Sequence, residues 1–190
     1  AGVALAAGKS GGIDTSGWNK PHKPFQIFGN TYYVGTAELS SILITSEFGH
    51  VLIDGGLPES AAVIKGNIEA LGFKLTDVKA ILNSHTHPDH AGGIAELQKL
   101  SGADVYALRP ANDVLTTGKA TADDPQGATK GIGIPKVARV WVAQDDQQIG
   151  IGSIRVRAIA TPGHTPGGTT WTWDACEGSK CLKAVMADSL

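Results

Sequence analysis

No charge of one sign dominates this sequence: sixteen Lys and Arg face eighteen Asp and Glu, a formal net charge of −2. A chain with no basic field has nothing to hold a phosphate backbone, so nucleic acid is not an expected partner. Long apolar runs are also missing, and none approaches the roughly 18 residues that a membrane-spanning helix needs. No membrane association is therefore expected. Cysteine is nearly absent. Cys176 and Cys181 stand alone, separated by Glu-Gly-Ser-Lys, and without a second pair a zinc ribbon is excluded. Their spacing suits either a hairpin disulfide, which requires an oxidising compartment, or a pair of free thiols. The initiator Met is missing too. The opening Ala1-Gly-Val-Ala-Leu-Ala-Ala-Gly8 reads either as the end of a secretory signal with an Ala-x-Ala cleavage site or as a plain disordered start. Fixed-period repeats and low-complexity tracts do not occur. With 42% of 190 residues hydrophobic and 18% charged, the profile is that of one compact soluble domain.

What is abundant is glycine, at 25 residues, which favours tight turns and short strands. After a polar, proline-containing lead ending near residue 24, Phe25 to Phe28, Thr31 to Gly35, Ser41 to Ser46 and His50 to Asp54 read as consecutive short strands. Apolar residues at 61, 64, 68 and 71 predict a helix over Glu59 to Leu71, stopped by Gly72. Val78 to Leu82 is the next strand, followed by a helix from about Ala91 to Leu100, a strand over Asp104 to Leu108 and a helix near Arg109 to Thr116. This alternation makes residues 25–117 a β/α half. Residues 118–136 show no periodicity and read as either a surface Ω-type loop or a flexible lid, and their length favours a functional loop. Residues 137–190 then carry a second run of strands, beginning with Arg139 to Ala143.

Three of the six histidines, His85, His87 and His90, fall within six residues together with Asp89, directly after an apolar strand. Imidazole nitrogens and a carboxylate are the donors a borderline ion such as zinc accepts, at about 2.0–2.2 Å. Residues at i and i+2 of such a turn can converge on one ion, while Asp89 and His90 face a neighbouring one. Gly92 and Gly93 are expected to let the helix backbone approach the metals closely. The bland alternative is a solvated polar loop; a density of H-x-H-x-D-H makes the metal reading the better one.

These residues resemble the metallo-β-lactamase superfamily, whose hydrolases carry this motif at the end of a β-strand. Its early Asp matches Asp54 in Val-Leu-Ile-Asp-Gly-Gly, and its isolated downstream His matches His164 in Ala-Thr-Pro-Gly-His-Thr-Pro-Gly-Gly. Within the superfamily, Tyr-Tyr-Val-Gly-Thr-Ala, Asn-Ser-His-Thr-His-x-Asp-His-Ala-Gly-Gly and Ala-Asp-Ser-Leu resemble the metallo-β-lactamases with a three-His first zinc site and an Asp/His/His second site without a ligand Cys. The resemblance implies an α/β fold, the αββα sandwich of that family. It implies two zinc ions, with His85, His87 and His164 at the first and Asp89 and His90 at the second. Asp54 is expected to fix a loop or a ligand imidazole rather than to react. Ser189 stands where a related subclass has its Cys ligand and is expected to contact substrate or a ligand. Asp188 is left open, because other superfamily hydrolases have a bridging Asp at that strand end. The family takes its last zinc ligand from a segment beyond this motif, whereas the sequence stops at Leu190, so the sandwich is expected to be incomplete at its C-terminus. The unassigned His22 and His50 read as ordinary surface histidines.

The activity so implied is zinc-dependent hydrolysis of the β-lactam amide bond, an antibiotic-resistance function, by a metal-bound hydroxide that Asp89 orients, in the periplasm or outside the cell. No Gly-x-Ser-x-Gly elbow offers a competing serine nucleophile. Two other readings stay open: a thioester or lactone hydrolase of the same superfamily, which would use Asp188 as a metal bridge, and an inactive zinc-binding fragment lacking the last ligand. The loop over residues 118–136 and the lead around Trp18 are expected to border the cleft. Trp171 and Trp173 carry no expected role.

Overall fold

The computed structural model describes residues 17–128 and 133–189; the proposed signal remnant at Ala1 to Gly8 lies outside them, as do residues 129–132 of the expected loop. Four strands open the fold as an antiparallel meander, β1 (Phe25–Phe28), β2 (Thr31–Tyr33), β3 (Ile42–Ile44) and β4 (His50–Ile53). Gly29, at φ +53°, and Asn30 make the first turn. A side chain at Gly29 would put its Cβ 2.2 Å from the Cys176 carbonyl oxygen, so the hairpin reaches the second sheet only with glycine there.

From β4 the chain crosses through α1 (Ser60–Ala70) and a 3₁₀ turn (Leu75–Asp77) to the parallel β5 (Val78–Leu82). It continues through α2 (Pro88–Ala91) and α3 (Ile94–Ser101) to β6 (Asp104–Leu108), then through α4 (Arg109–Thr117) to β7 (Val140–Ala143). The seven strands lie in sequence order. Antiparallel β8 (Gln148–Ile151), β9 (Ile154–Ala160), β10 (Thr169–Glu177) and β11 (Lys180–Met186) form a second sheet in the order β11-β10-β9-β8.

The period-two alternation of a strand assigns the side chains to layers. Leu43, Leu52 and Ile81 turn one way, into a core with Ile64, Ile68, Ile94, Leu97 and Leu115 from the helices. Ile42, Ile44, Val51, Ile53 and Leu82 turn the other way, against Val156, Ala158, Trp171 and Trp173 of the second sheet. Strands β3 and β4 are therefore buried on both faces, which explains why they read as continuous apolar runs. Truncating a fully buried residue of this kind, Leu43 or Leu52, to Ala would cost about 2–5 kcal/mol. Helix, sheet and sheet give the αββ layers of the expected αββα sandwich. Among the described residues no helix covers the outer face of the four-stranded sheet, where Ile159 and Val185 are exposed.

Three differences from the sequence reading have clear causes. Strand β7 follows the loop yet pairs with β6 in the first sheet, so the two sheets divide between Ala143 and Gln148 rather than at residue 137. The helix expected from Ala91 breaks at Gly92 and Gly93, because this backbone presses on another segment. A Cβ on Gly93 would lie 2.2 Å from the Gly55 oxygen, and one on Gly92 would lie 2.5 Å from Pro58 Cδ. These glycines thus serve packing against the turn after β4. The last hairpin is tighter than expected: β10 and β11 pair as far as Glu177 and Lys180, which places Cys176 directly opposite Cys181, and the two are disulfide-bonded.

Candidate metal centre

In sheets with parallel strands, ligand sites gather beyond the carboxyl ends of the strands, and the chemistry-bearing residues do so here. Asp54 follows β4, the run Asn83 to His90 follows β5, His164 sits in the turn between β9 and β10, and Asp188 follows β11. The turn of His85 is pinned to the second sheet from below. The Thr169 N–H donates to the Ser84 carbonyl (2.8 Å), and Trp171 Nε1 donates to the Asn83 carbonyl (3.1 Å).

The imidazoles of His85, His87 and His164 converge, with ring centroids 4.7–5.0 Å apart. His87 Nδ1 lies 3.0 Å from His164 Nε2, and His85 Nε2 is buried without any hydrogen-bond partner. A fully buried ring nitrogen left without a partner costs about 1–3 kcal/mol, which a ligated ion would relieve. Among the described residues two sets bring donor atoms within 4.8 Å of one another: His85, His87 and His164, and His85, Asp89 and His90. Neutral imidazoles with one carboxylate form the donor chemistry of a zinc-type site, so the residues present fit a metal.

Outer carboxylates orient these rings. Asp54, fully buried in a left-handed conformation (φ +61°), accepts from the Ser84 N–H (2.7 Å) and hydroxyl (2.5 Å) and from His90 Nδ1 (2.9 Å). Asp188 places Oδ1 2.8 Å from His85 Nδ1, off the line an N–H···O bond prefers, and both of its oxygens lack a conventional donor. Held at Nδ1 by Asp54, the His90 ring keeps Nε2 free to ligate. Asp188 itself falls in neither donor set. Burial alone would push the His90 pKa down, but the hydrogen bond and charge of Asp54, aided by Asp89 and Asp188, outweigh it and raise the value. The pKa of His164 is lowered by burial and by the neighbouring His85 and His87, which favours the neutral ligand form.

The other candidates fall as follows. Asp89 keeps its side chain 24% exposed, with Oδ2 3.5 Å from His90 Nε2. Ser189 lines a cleft of about 590 Å³ together with His164, Thr170 and Asp188. His22 packs edge-on against Phe25 and Tyr33, and neither it nor His50 belongs to a donor set. The expectation of a surface His50 is corrected: only 7% of it is exposed, because β4 begins under Phe73, whose ring meets the imidazole edge-on at 5.2 Å. Two contributors were illegible in the sequence. Trp171 supports the motif through a backbone carbonyl, which no pattern announces. Asp124 places both carboxylate oxygens 3.2 Å from His87 Nε2, out of a segment without periodicity.

Comparison with known proteins agrees with this geometry. The solved Rm3 metallo-β-lactamase is 53% identical, with a TM-score of 0.91 over 95% of this chain and 66% of its own. MEM-A1, a subclass B3 metallo-β-lactamase isolated from a soil metagenome library, is 51% identical with a TM-score of 0.88, over 90% of this chain and 65% of its own. A curated relative, the hydroxyacylglutathione hydrolase of Rhodopseudomonas palustris, is 31% identical over 139 residues, which are 69% of this chain and 45% of that protein. The chain thus spans less than half the length of that relative and about two thirds that of the solved enzymes. The sequence model of the metallo-β-lactamase superfamily matches residues 37–176, and with this donor geometry at its strand ends the chain belongs to that superfamily.

Proposed function

We propose that this protein is a zinc-dependent hydrolase of the β-lactam amide bond. The observation that carries the reading is the convergence of His85, His87 and His164 beside Asp89 and His90, in a chain about half identical to solved metallo-β-lactamases. In this reading the three histidines hold one ion, and Asp89 and His90 contribute to a second. Zinc held there supplies Lewis acidity toward an amide carbonyl and brings the pKa of water near neutrality. The chain's own contribution is placement. Asp54 fixes the His90 ring, so that it does not have to reorient during reaction. Asp89 would bind metal and orient the attacking oxygen toward the carbonyl. The Ser189 hydroxyl lines the cleft beside His164 and would contact the substrate. The Cys176–Cys181 disulfide agrees with a periplasmic or secreted protein.

A thioester substrate is the second reading, favoured by the curated hydroxyacylglutathione hydrolase relative. That reading needs Asp188 as a metal bridge; its position outside both donor sets, behind His85, favours the β-lactam reading. The test is hydrolysis of a chromogenic cephalosporin, a carbapenem and a hydroxyacylglutathione thioester by zinc-loaded protein, with and without chelator. Chelator-sensitive cephalosporin or carbapenem turnover is expected. Turnover of the thioester alone, with loss of the second metal in Asp188→Ala, would replace the proposal with the second reading. Bound metal with no turnover of any of the three would leave an inactive metal-binding fragment.

A further inference from the structure

Beyond the candidate ligands themselves, one carboxylate reaches the cluster from the segment that the sequence marks as a functional loop. Asp124 lies in the stretch between α4 and β7, which leaves α4 at Gly118, where the Gly118 N–H donates to the Val114 carbonyl, and is tied back where the Val137 N–H donates to the Leu115 carbonyl. Between these anchors Asp124 is the pivot of a compact turn. Its N–H donates to the Thr121 carbonyl (3.2 Å), its own carbonyl accepts from the Gly127 N–H (2.9 Å), and its Oδ1 accepts from the Gln126 N–H (2.8 Å). Its side chain is 2% exposed, and its one side-chain partner is His87. An acidic side chain this deeply buried in a surface loop requires a compensating donor.

We propose that Asp124 is a positioning residue for the metal centre and that metal occupancy and the order of the Thr121 to Gly127 turn are energetically coupled through His87. The inference rests on the metal-centre reading above. His87 points Nδ1 into the cluster, toward His164, and Nε2 outward to Asp124. An ion on Nδ1 obliges the ring proton to sit on Nε2, where Asp124 accepts it; without the ion the proton can occupy either nitrogen, and the bond to Asp124 is made only part of the time. Metal therefore tightens the turn. By reciprocity the turn tightens the metal by the same factor, because a coupling free energy between two sites acts equally in both directions. Asp54 holds His90 from a strand end, whereas Asp124 holds His87 from a loop, so this is the candidate ligand whose support can be ordered or released.

The experiment compares the full chain with Asp124→Asn and Asp124→Ala. Metal affinity is read by competition with a chromophoric chelator, the first site by the d–d absorption of Co(II), and the turn by hydrogen exchange of residues 119–128 with and without metal. Asp124→Ala is expected to weaken the tighter metal by about 10- to 100-fold, to alter the Co(II) spectrum, and to abolish the metal-dependent part of the exchange protection. Asp124→Asn, which keeps an acceptor oxygen, is expected to recover much of each. Thermal midpoints of the metal-free forms separate this from general loss of fold, and if Asp124→Ala does not fold, the Asn variant with its intermediate effect decides. Wild-type affinity, spectrum and metal-dependent protection in Asp124→Ala would overturn the proposal. A wild-type chain that takes up no metal would overturn the metal-centre reading, and this inference with it.

Discussion

Replacing Asp54 with Asn changes almost no volume and tests whether the second half of the metal centre is organised from behind. The backbone tolerates the change, since Asn is among the residues that accept the left-handed conformation found at Asp54 (φ +61°). The hydrogen bonds do not. Oδ1 accepts from the Ser84 N–H, and an amide oxygen can keep that role, but Oδ2 accepts from both the Ser84 hydroxyl and His90 Nδ1. An NH₂ group there would donate to His90 Nδ1, drive the ring proton to Nε2 and close the nitrogen that faces Asp89. A hydrogen bond to a charged group contributes about 1.5–3 kcal/mol, equivalent to about 10- to 150-fold in affinity. The expected result is a second metal weakened by that factor, a first metal bound as in the wild type, and a folded protein. Stepwise zinc titration against a chelating dye, together with metal analysis after gel filtration, measures it. Two metals bound with unchanged affinities would refute the idea that Asp54 sets the His90 tautomer; loss of the first metal instead would show that the two donor sets are not separable.

Three further outcomes follow from the same structure. His87→Ala should remove the first metal and erase the stabilisation that metal gives, about 2.7 kcal/mol when free metal is a hundred times its Kd; unchanged metal content would exclude His87 as a ligand. Cys176→Ser opens a cross-link between residues only 5 apart, so the loss should be about 2 kcal/mol, a fall in Tm of about 4–8 °C. An identical midpoint for oxidised and reduced wild type would sink that estimate. His50 has its pKa lowered by burial, so the unfolded chain takes up a proton near pH 6.5 that the folded chain resists. Wild-type stability should therefore fall as pH drops below about 6.5, and His50→Gln, measured by urea unfolding of metal-free protein, should show a shallower fall. Parallel pH profiles for the two would contradict the burial argument.

Much of this molecule is legible in its sequence because the relevant physics is local. A two-residue alternation, a helix-spaced run such as Ala61, Ile64, Ile68 and Leu71, and a glycine stop are read from neighbours alone, and the corresponding elements stand within a few residues of their expected bounds. The strand followed by His85, His87, Asp89 and His90 is likewise a local pattern, dense enough to suggest a metal site by itself. The helix break at Gly92 and Gly93 was missed because its cause, the backbone of Gly55 and Pro58, is remote in sequence. His50 was read as a surface residue for the same kind of reason, since Phe73 covers it from another element.

Sequence by itself determined which side chains are available as ligands and which strand delivers them. Tertiary structure decided which nitrogen of the His90 and His87 rings faces inward, because that choice belongs to Asp54 and Asp124, carried by two separate segments. It also brought His164, 77 residues beyond His87, to 3.0 Å from it. Side-chain chemistry is a property of the residue, whereas ring orientation and tautomer are set by hydrogen bonds that exist only when distant strand ends are packed together.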